Sequence, residues 1–134
     1  MNNFNINRRH FMKGASAALA LSTFGAYGLD LVNPARPYRV ALIGTGWYGK
    51  SDLFRLMQVV PVEVVALCDP DRTMLTEAGK LVAARQKSRK TPKLYGDYRQ
   101  LLKENELDIA IVGSPDHWHA LQMIDAVKAG AHVY

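Results

Sequence analysis

Apolar and polar positions follow two alternating periods along most of this chain. Nearly uninterrupted apolar runs predict buried parallel strands at residues 38–43, 62–68, 108–113 and 131–134, and a short strand is predicted at 93–95. Between these runs, apolar residues three and four positions apart predict helices. Because strand and helix patterns alternate, we expect an α/β fold whose sheet is parallel and doubly wound.

Each predicted helix carries an apolar stripe. The stripes consist of Leu53, Leu56, Met57 and Val60; Leu75, Ala78, Leu81 and Val82; Tyr98, Leu101 and Leu102; and Ala120, Met123, Ile124 and Val127. Asp97 is placed to cap the start of the third helix, and Gly130 to end the last one.

The turn Gly44-Thr45-Gly46-Trp47-Tyr48-Gly49 joins the first strand to the first helix. Its G-x-G-x-x-G spacing at a strand–helix junction is typical of Rossmann-type dinucleotide-binding domains. The first glycine permits a tight turn, the second lets a pyrophosphate approach the backbone, and the third lets the helix pack on the strand. The N–H groups at the helix start would then face the phosphates.

Asp69 follows the second strand, twenty residues after Gly49. Dinucleotide-binding domains place an acidic residue here to accept hydrogen bonds from the adenosine ribose, and its charge favours NAD over NADP. The alternative role for Asp69 is a helix N-cap. Arg72 could pair with a 2′-phosphate, but its position equally fits the first turn of a helix.

The fourth strand ends in Ser114-Pro115-Asp116-His117-Trp118-His119. Because the carboxyl ends of parallel strands share one edge, this segment is expected at the same crevice as the glycine turn and Asp69. His117 and His119 raise the possibility of zinc, but no third ligand is close in sequence and Asp116 fits a helix cap better, so no metal site is predicted. Ordinary packing of these side chains is the remaining alternative.

Charge and cysteine content exclude several classes of protein. The formal net charge of the 134 residues is +5, and there is no basic stripe interleaved with aromatic residues, so no nucleic-acid partner is expected. The densest basic cluster, residues 85–90, is expected at a helix end and the following loop. The single cysteine, Cys68, lies in an apolar run and is expected to be buried without redox or metal chemistry.

Residues 1–36 have the composition of an export signal and linker, ahead of a domain predicted for residues 37–134. Arg8 and Arg9 are followed by Phe11, Lys13 and a stretch rich in small apolar residues. This order resembles the twin-arginine (Tat) signal, although Asn7 and Met12 depart mildly from its commonest residues. We therefore expect contact with the Tat export machinery and a periplasmic location, or membrane anchoring if the signal is retained; a disordered basic arm is the alternative.

The ordered series of motifs over residues 38–134 resembles the Gfo/Idh/MocA oxidoreductases. It comprises the glycine turn, Cys68-Asp69-Pro70-Asp71, Asp97-Tyr98-x-x-Leu101-Leu102, Asp108-Ile-Ala-Ile-Val and Ser-Pro-Asp-His-Trp-His. The resemblance implies NAD as cofactor, with Trp47 and Tyr48 at its phosphates, Asp69 at the adenosine ribose and residues 114–119 on the nicotinamide side. It also implies a sugar-like substrate and a homo-oligomer for the full-length protein.

Three functions remain open from the sequence. The first is the cofactor domain of an exported oxidoreductase acting on a sugar or cyclic polyol, and the second is an NAD-dependent glycosidase resembling α-N-acetylgalactosaminidases. The third is a non-catalytic fragment or remnant. In the family a Glu-Lys-Pro motif follows the fifth strand and a second domain forms the substrate pocket. Since the chain stops at Tyr134, we expect no complete catalytic site within it.

Overall fold

The computed structural model describes residues 36–134, so the predicted export signal lies outside the described residues. Nine elements follow in strict alternation of strand and helix. Their bounds are β1 Tyr38–Ile43, α1 Trp47–Val59, β2 Val62–Cys68, α2 Arg72–Arg85, β3 Lys93–Tyr95, α3 Tyr98–Glu104, β4 Ile109–Val112, α4 Asp116–Lys128 and β5 His132–Val133. The predicted strands and helices are therefore present, with only small differences at their ends.

The five strands form one parallel sheet in the order β3-β2-β1-β4-β5. The chain builds outward from β1 to β3, crosses back through α3, and continues on the other side of β1 with β4 and β5. The order therefore reverses between β1 and β4, and such a switch point opens a crevice at the carboxyl edge of the sheet. The predicted doubly wound α/β fold is confirmed.

Alternate residues of the central strands supply two separate cores, one on each face of the sheet. Val40 and Leu42 of β1 pack with Leu53 of α1 and the buried face of α2. Ala41 and Ile43, which point the opposite way, pack beneath α3 and α4. A strand buried on both faces needs apolar residues at consecutive positions, which explains the absence of alternation in its sequence.

Helix α4 does not turn its apolar stripe toward the sheet. Gln122 and Ala126 are its buried residues, while the predicted stripe is exposed, with Val127 at 57%. Hydrogen bonds from Ser114 to Gln122 and from Tyr98 to Asp125 fix the rotation of the helix. None of the helices within residues 36–134 is long and apolar enough to cross a membrane.

The helix starts differ in how they are capped. The Asp71 carboxylate accepts hydrogen bonds from Thr73 N and Met74 N and caps α2, so the alternative role of Asp69 as the cap is wrong. Asp97 caps α3 as predicted. Pro115 occupies the N-cap of α4 and offers no side-chain bond, so Asp116 is the first helical residue and not a cap.

Gly130 ends α4 in the left-handed region, at φ +89°. Its amide donates to the Val127 carbonyl, and the next amide, of Ala131, donates to Ala126. These bonds satisfy carbonyl groups that the last turn of a helix leaves without partners, which is the capping role predicted for this glycine.

Candidate functional site: a cleft at the switch point

A cleft of about 680 Å³ lies at the carboxyl edge of the sheet, where the strand order reverses. Four strand ends contribute to it, so it is assembled from segments far apart in sequence. Its lining residues are Ile43, Gly44, Gly46, Trp47, Tyr48, Cys68, Asp69, Pro70, Met74, Gly96, Asp97, Tyr98, Arg99, Gly113, Ser114, Pro115, Trp118 and Gln122.

The glycine turn is packed too tightly for side chains at two of its three glycines. Gly44 has φ +94°, and a Cβ there would lie 2.5 Å from the Gly113 carbonyl carbon. A Cβ on Gly49 would lie 2.3 Å from the Gly44 carbonyl oxygen. Gly46 has no atom within 4 Å of its Cβ position and faces the cleft. Two glycines thus serve the packing of the protein, and the third leaves space for a ligand.

The start of α1 is left open toward the cleft. Gly46 is its N-cap residue, with no side-chain cap bond, and the first turn contains no acidic residue. The backbone N–H groups and the positive end of the helix dipole are thus available to an anion. Trp47 and Tyr48 line the cleft beside this end, with their rings edge to face at 5.6 Å.

Asp69 joins the end of β2 to the glycine turn. Its Oδ2 accepts hydrogen bonds from Thr45 N at 2.7 Å and from Thr45 Oγ1 at 3.0 Å, and its Oδ1 accepts one from Asp71 N at 2.9 Å. Thr45 is fully buried and does not line the cleft, whereas Asp69 is 9% exposed and does. The turn and the carboxylate therefore form one connected unit.

Only part of the segment at residues 114–119 reaches the cleft. Ser114, Pro115 and Trp118 line it, while Asp116 and His117 are exposed outside it. The ring of His119 turns back, and its Nε2 lies 2.5 Å from the Ser114 carbonyl oxygen. Within residues 36–134 there is no group of three or more His, Cys, Asp or Glu side chains suited to hold a metal ion.

The end of β3 and the start of α3 form a wall that was not predicted as part of the site. Tyr98 and Arg99 line the cleft, and the Arg99 guanidinium lies 4.7 Å from the centroid of the Tyr98 ring. Arg72, by contrast, is exposed and outside the cleft. The carboxyl ends of parallel strands share one edge of the sheet, and β3 ends at that edge as well. Residues 96–99 could therefore have been predicted in the crevice for the same reason as the other strand ends.

Gln122 is a second lining residue that the sequence analysis missed. It is 6% exposed, and its Oε1 accepts a 2.6 Å hydrogen bond from Ser114 Oγ. Gln122 lies outside the apolar stripe of α4, so the pattern did not predict it to be buried. The periodicity of apolar residues did not reveal which face of α4 packs on the sheet.

In the lining of the cleft, burial raises the pKa of the Cys68 thiol to about 12, with a smaller contribution from the charge of Asp69. The thiol therefore stays protonated at neutral pH. It is 4% exposed and behaves as a small apolar side chain, as predicted.

A parallel sheet with a switch-point cleft, a tight glycine turn and an open helix start defines a Rossmann-type dinucleotide-binding domain. Residues 38–134 match the model of the Gfo/Idh/MocA oxidoreductase family, NAD-binding Rossmann fold. The chain belongs to this family, as the motifs implied.

Similar proteins include both hydrolases and dehydrogenases. The chain is 31% identical to a "Glycosyl hydrolase family 109 protein" of Shewanella putrefaciens strain CN-32 and 29% identical to an "Alpha-N-acetylgalactosaminidase" of Shewanella oneidensis. Each alignment covers 97% of this chain and 33% of the relative. Among solved structures, myo-inositol 2-dehydrogenase from Lactobacillus plantarum is 26% identical with a TM-score of 0.60, over 73% of this chain and 27% of the other. The chain thus spans about a third of the length of the curated relatives it matches.

Proposed function

We propose that this chain is the NAD-binding part of an exported oxidoreductase that acts on a sugar or cyclic polyol. The observation that carries the proposal is the meeting of Gly46, the uncapped start of α1 and Asp69 in one cleft. The family and the named dehydrogenase of similar fold support a hydride-transfer enzyme. The sugar-like substrate and assembly into a homo-oligomer belong to the same proposal.

The residues of the chain would divide the work of holding the cofactor. The amides at the start of α1 receive the pyrophosphate, with Gly46 leaving room for it. Asp69 accepts a hydrogen bond from the adenosine ribose, and residues such as Ser114 and Trp118 lie on the nicotinamide side. When bound, the nicotinamide supplies the hydride chemistry, and the chain orients it.

NAD is the proposed cofactor in preference to NADP. The Asp69 carboxylate in the cleft would repel a 2′-phosphate, and Arg72 is not placed to neutralise one. Arg99 is the arginine that lines the cleft, but the Asp97 carboxylate lies 3.6 Å from its guanidinium. NADH is therefore expected to bind more tightly than NADPH.

A titration of the 134-residue chain with NADH tests the proposal. Trp47 and Trp118 are the two tryptophans of the sequence, and both line the cleft. Binding should quench their emission and sensitise that of NADH by energy transfer. NADPH serves as the comparison, and circular dichroism confirms that the sample is folded. A folded chain that shows neither signal at millimolar NADH would contradict the proposed function.

A glycosidase that uses NAD transiently is the second candidate, favoured by the names of the curated relatives. Such an enzyme oxidises a sugar hydroxyl, eliminates the glycoside, adds water and reduces the product again, without net redox change. Sequencing the DNA beyond the codon of Tyr134 establishes whether a substrate domain is encoded. With such a chain, hydrolysis of p-nitrophenyl α-N-acetylgalactosaminide without an electron acceptor would favour this candidate, and acceptor-dependent sugar oxidation the first.

Export by the Tat pathway completes the proposal and rests on the sequence of residues 1–36. Replacement of both Arg8 and Arg9 by lysine is expected to keep the protein in the cytoplasm, because the pathway recognises the arginine pair. Cell fractionation with an antibody to the folded domain measures the outcome. Unchanged periplasmic accumulation of the double variant would exclude the Tat route.

A further inference from the structure

Two hydrogen bonds join Thr45 to Asp69, and both of their donors belong to a residue that does not line the cleft. Two donors of one residue, the backbone amide and the hydroxyl of Thr45, converge on the same carboxylate oxygen, Oδ2. Thr45 is fully buried, so its hydroxyl cannot contact a ligand in the cleft. Thr45 belongs to the glycine turn that is predicted to bind the cofactor, whereas its side chain reaches the cleft only through Asp69.

A carboxylate offers about four acceptor positions, two on each oxygen. Thr45 fills both positions on Oδ2, and the amide of Asp71 fills one on Oδ1. One acceptor position therefore remains, on Oδ1. Because Asp69 is almost fully buried yet lines the cleft, this remaining position is the one a ligand can use.

We propose that Thr45 is a positioning residue that holds Asp69 Oδ2 within the protein and leaves Oδ1 to accept a single hydroxyl of the adenosine ribose. This inference rests on the proposed NAD-binding function and gives it a specific geometry. The hydroxyl of Thr45 fixes the rotation of the carboxylate before the nucleotide arrives, so no ordering of Asp69 is needed on binding. The remaining ribose hydroxyl is not bound by Asp69.

Substitution at Thr45 tests the positioning role. Thr45→Val keeps the shape and the amide donor but removes the hydroxyl, and we expect the Kd for ADP to rise about tenfold. Thr45→Ser restores the hydroxyl and should bring the Kd back to within about threefold of the original. Thr76→Val is the matched control, because the Thr76 hydroxyl bonds the Arg72 carbonyl on the exposed side of α2. Calorimetric titration measures the Kd, and thermal unfolding shows whether each variant is folded.

A double-substitution cycle separates positioning from a general loss of structure. With Asp69→Ala already present, adding Thr45→Val should change the Kd for ADP by less than about twofold, because the side chain that Thr45 holds is gone. Equal losses from Thr45→Val in both backgrounds would overturn the proposal. A folded Thr45→Val protein with the original affinity would overturn it too.

Deoxynucleotides test the single acceptor position. Of 2′-deoxy-ADP and 3′-deoxy-ADP, one should bind about tenfold more weakly than ADP and the other within about twofold. The weaker analogue should also lose its sensitivity to Thr45→Val. Similar losses with both analogues, or with neither, would overturn the single-hydroxyl geometry. If the unsubstituted protein binds neither ADP nor NADH, the proposed function itself is wrong. That result differs from the outcomes that would overturn only the role of Thr45 or the single-hydroxyl geometry.

Discussion

The backbone is packed differently at the two ends of the cleft. At the glycine-turn end, Gly44 and Gly49 touch neighbouring backbone, and Thr45 and Asp69 are buried and hydrogen-bonded to each other. At the α4 end, residues 115–118 are exposed, whereas both α1 and α4 begin without a side-chain cap. The backbone of the first end is closely packed, with the side chains of Trp47 and Tyr48 exposed beside it. The second end is held by the Ser114–Gln122 and Tyr98–Asp125 hydrogen bonds.

This difference separates two parts of dinucleotide recognition. Under the proposed function, the closely packed end would receive the adenosine and the pyrophosphate. Under the proposed function, the exposed end would receive the nicotinamide. Substitutions at the two ends should therefore have different effects. At the glycine-turn end they should lower stability and the affinity for both ADP and NADH, and at the α4 end they should lower the affinity for NADH but not for ADP.

The largest effect is expected from Gly44→Ala. The added Cβ would meet the backbone of Gly113 at 2.5 Å at a positive φ, so the free energy of unfolding should fall by about 3–5 kcal/mol. Gly46→Ala is the matched control: it has open space and should change stability by less than about 0.5 kcal/mol while weakening NADH binding about tenfold or more. Urea unfolding measures both, and equal stability of the two variants would contradict the packing difference.

Asp69→Asn should reduce both stability and affinity. The amide cannot accept all three hydrogen bonds of the carboxylate, which should cost about 1–3 kcal/mol of stability and about tenfold to thirtyfold in NADH affinity. The same change should narrow the preference for NADH over NADPH, because the negative charge is lost. Unchanged selectivity in a folded variant would argue against Asp69 as the residue that excludes a 2′-phosphate.

The two tryptophans offer the most direct comparison between the ends. Trp118→Ala should weaken NADH binding about threefold to tenfold and leave ADP binding unchanged, because ADP lacks the nicotinamide. Trp47→Ala, beside the open start of α1, should weaken both ligands. The ratio of the Kd for NADH to the Kd for ADP is measured for each variant. An identical ratio for the two variants would mean that the two ends do not bind different halves of the cofactor.

The smallest effect concerns the helix caps. Asp71→Ala removes the side-chain cap of α2 and should cost about 1 kcal/mol in the free energy of unfolding. Asp116→Ala removes only an acidic residue from the first turn of α4 and should cost about 0.3–0.5 kcal/mol. Thermal unfolding at matched salt resolves the two, and a larger loss from Asp116→Ala would show that α4 is capped by this side chain.

The fold was predictable because its signals are local. Val40, Leu42 and their neighbours form an apolar run that only a strand covered on both faces requires, and the turn residues at Gly44 and Asp97 mark where helices start. The rotation of α4 was not predictable. Its apolar stripe suggested one buried face, but hydrogen bonds of Gln122 and Asp125 with residues from other elements selected another.

For the site, the sequence identified the segments better than the individual contacts. The glycine turn and Asp69 could be placed in one crevice because strand ends of a parallel sheet share an edge. Thr45 as a partner of Asp69, Arg99 in place of Arg72, and His119 turned toward the Ser114 carbonyl depend on side-chain directions. Those directions are set by packing among segments distant in sequence.

Gly113, which follows β4 and lies 64 positions after Gly49, packs directly against the glycine turn. A Cβ at Gly113 would lie 2.7 Å from Gly49 Cα, so the end of β4 and the start of α1 can approach this closely only while position 113 lacks a side chain. A glycine turn grafted from this chain into another sheet would therefore need this distant residue as well. Any family member that gains a side chain here must also change the spacing between β4 and α1, which makes the two positions a pair to follow in natural variants.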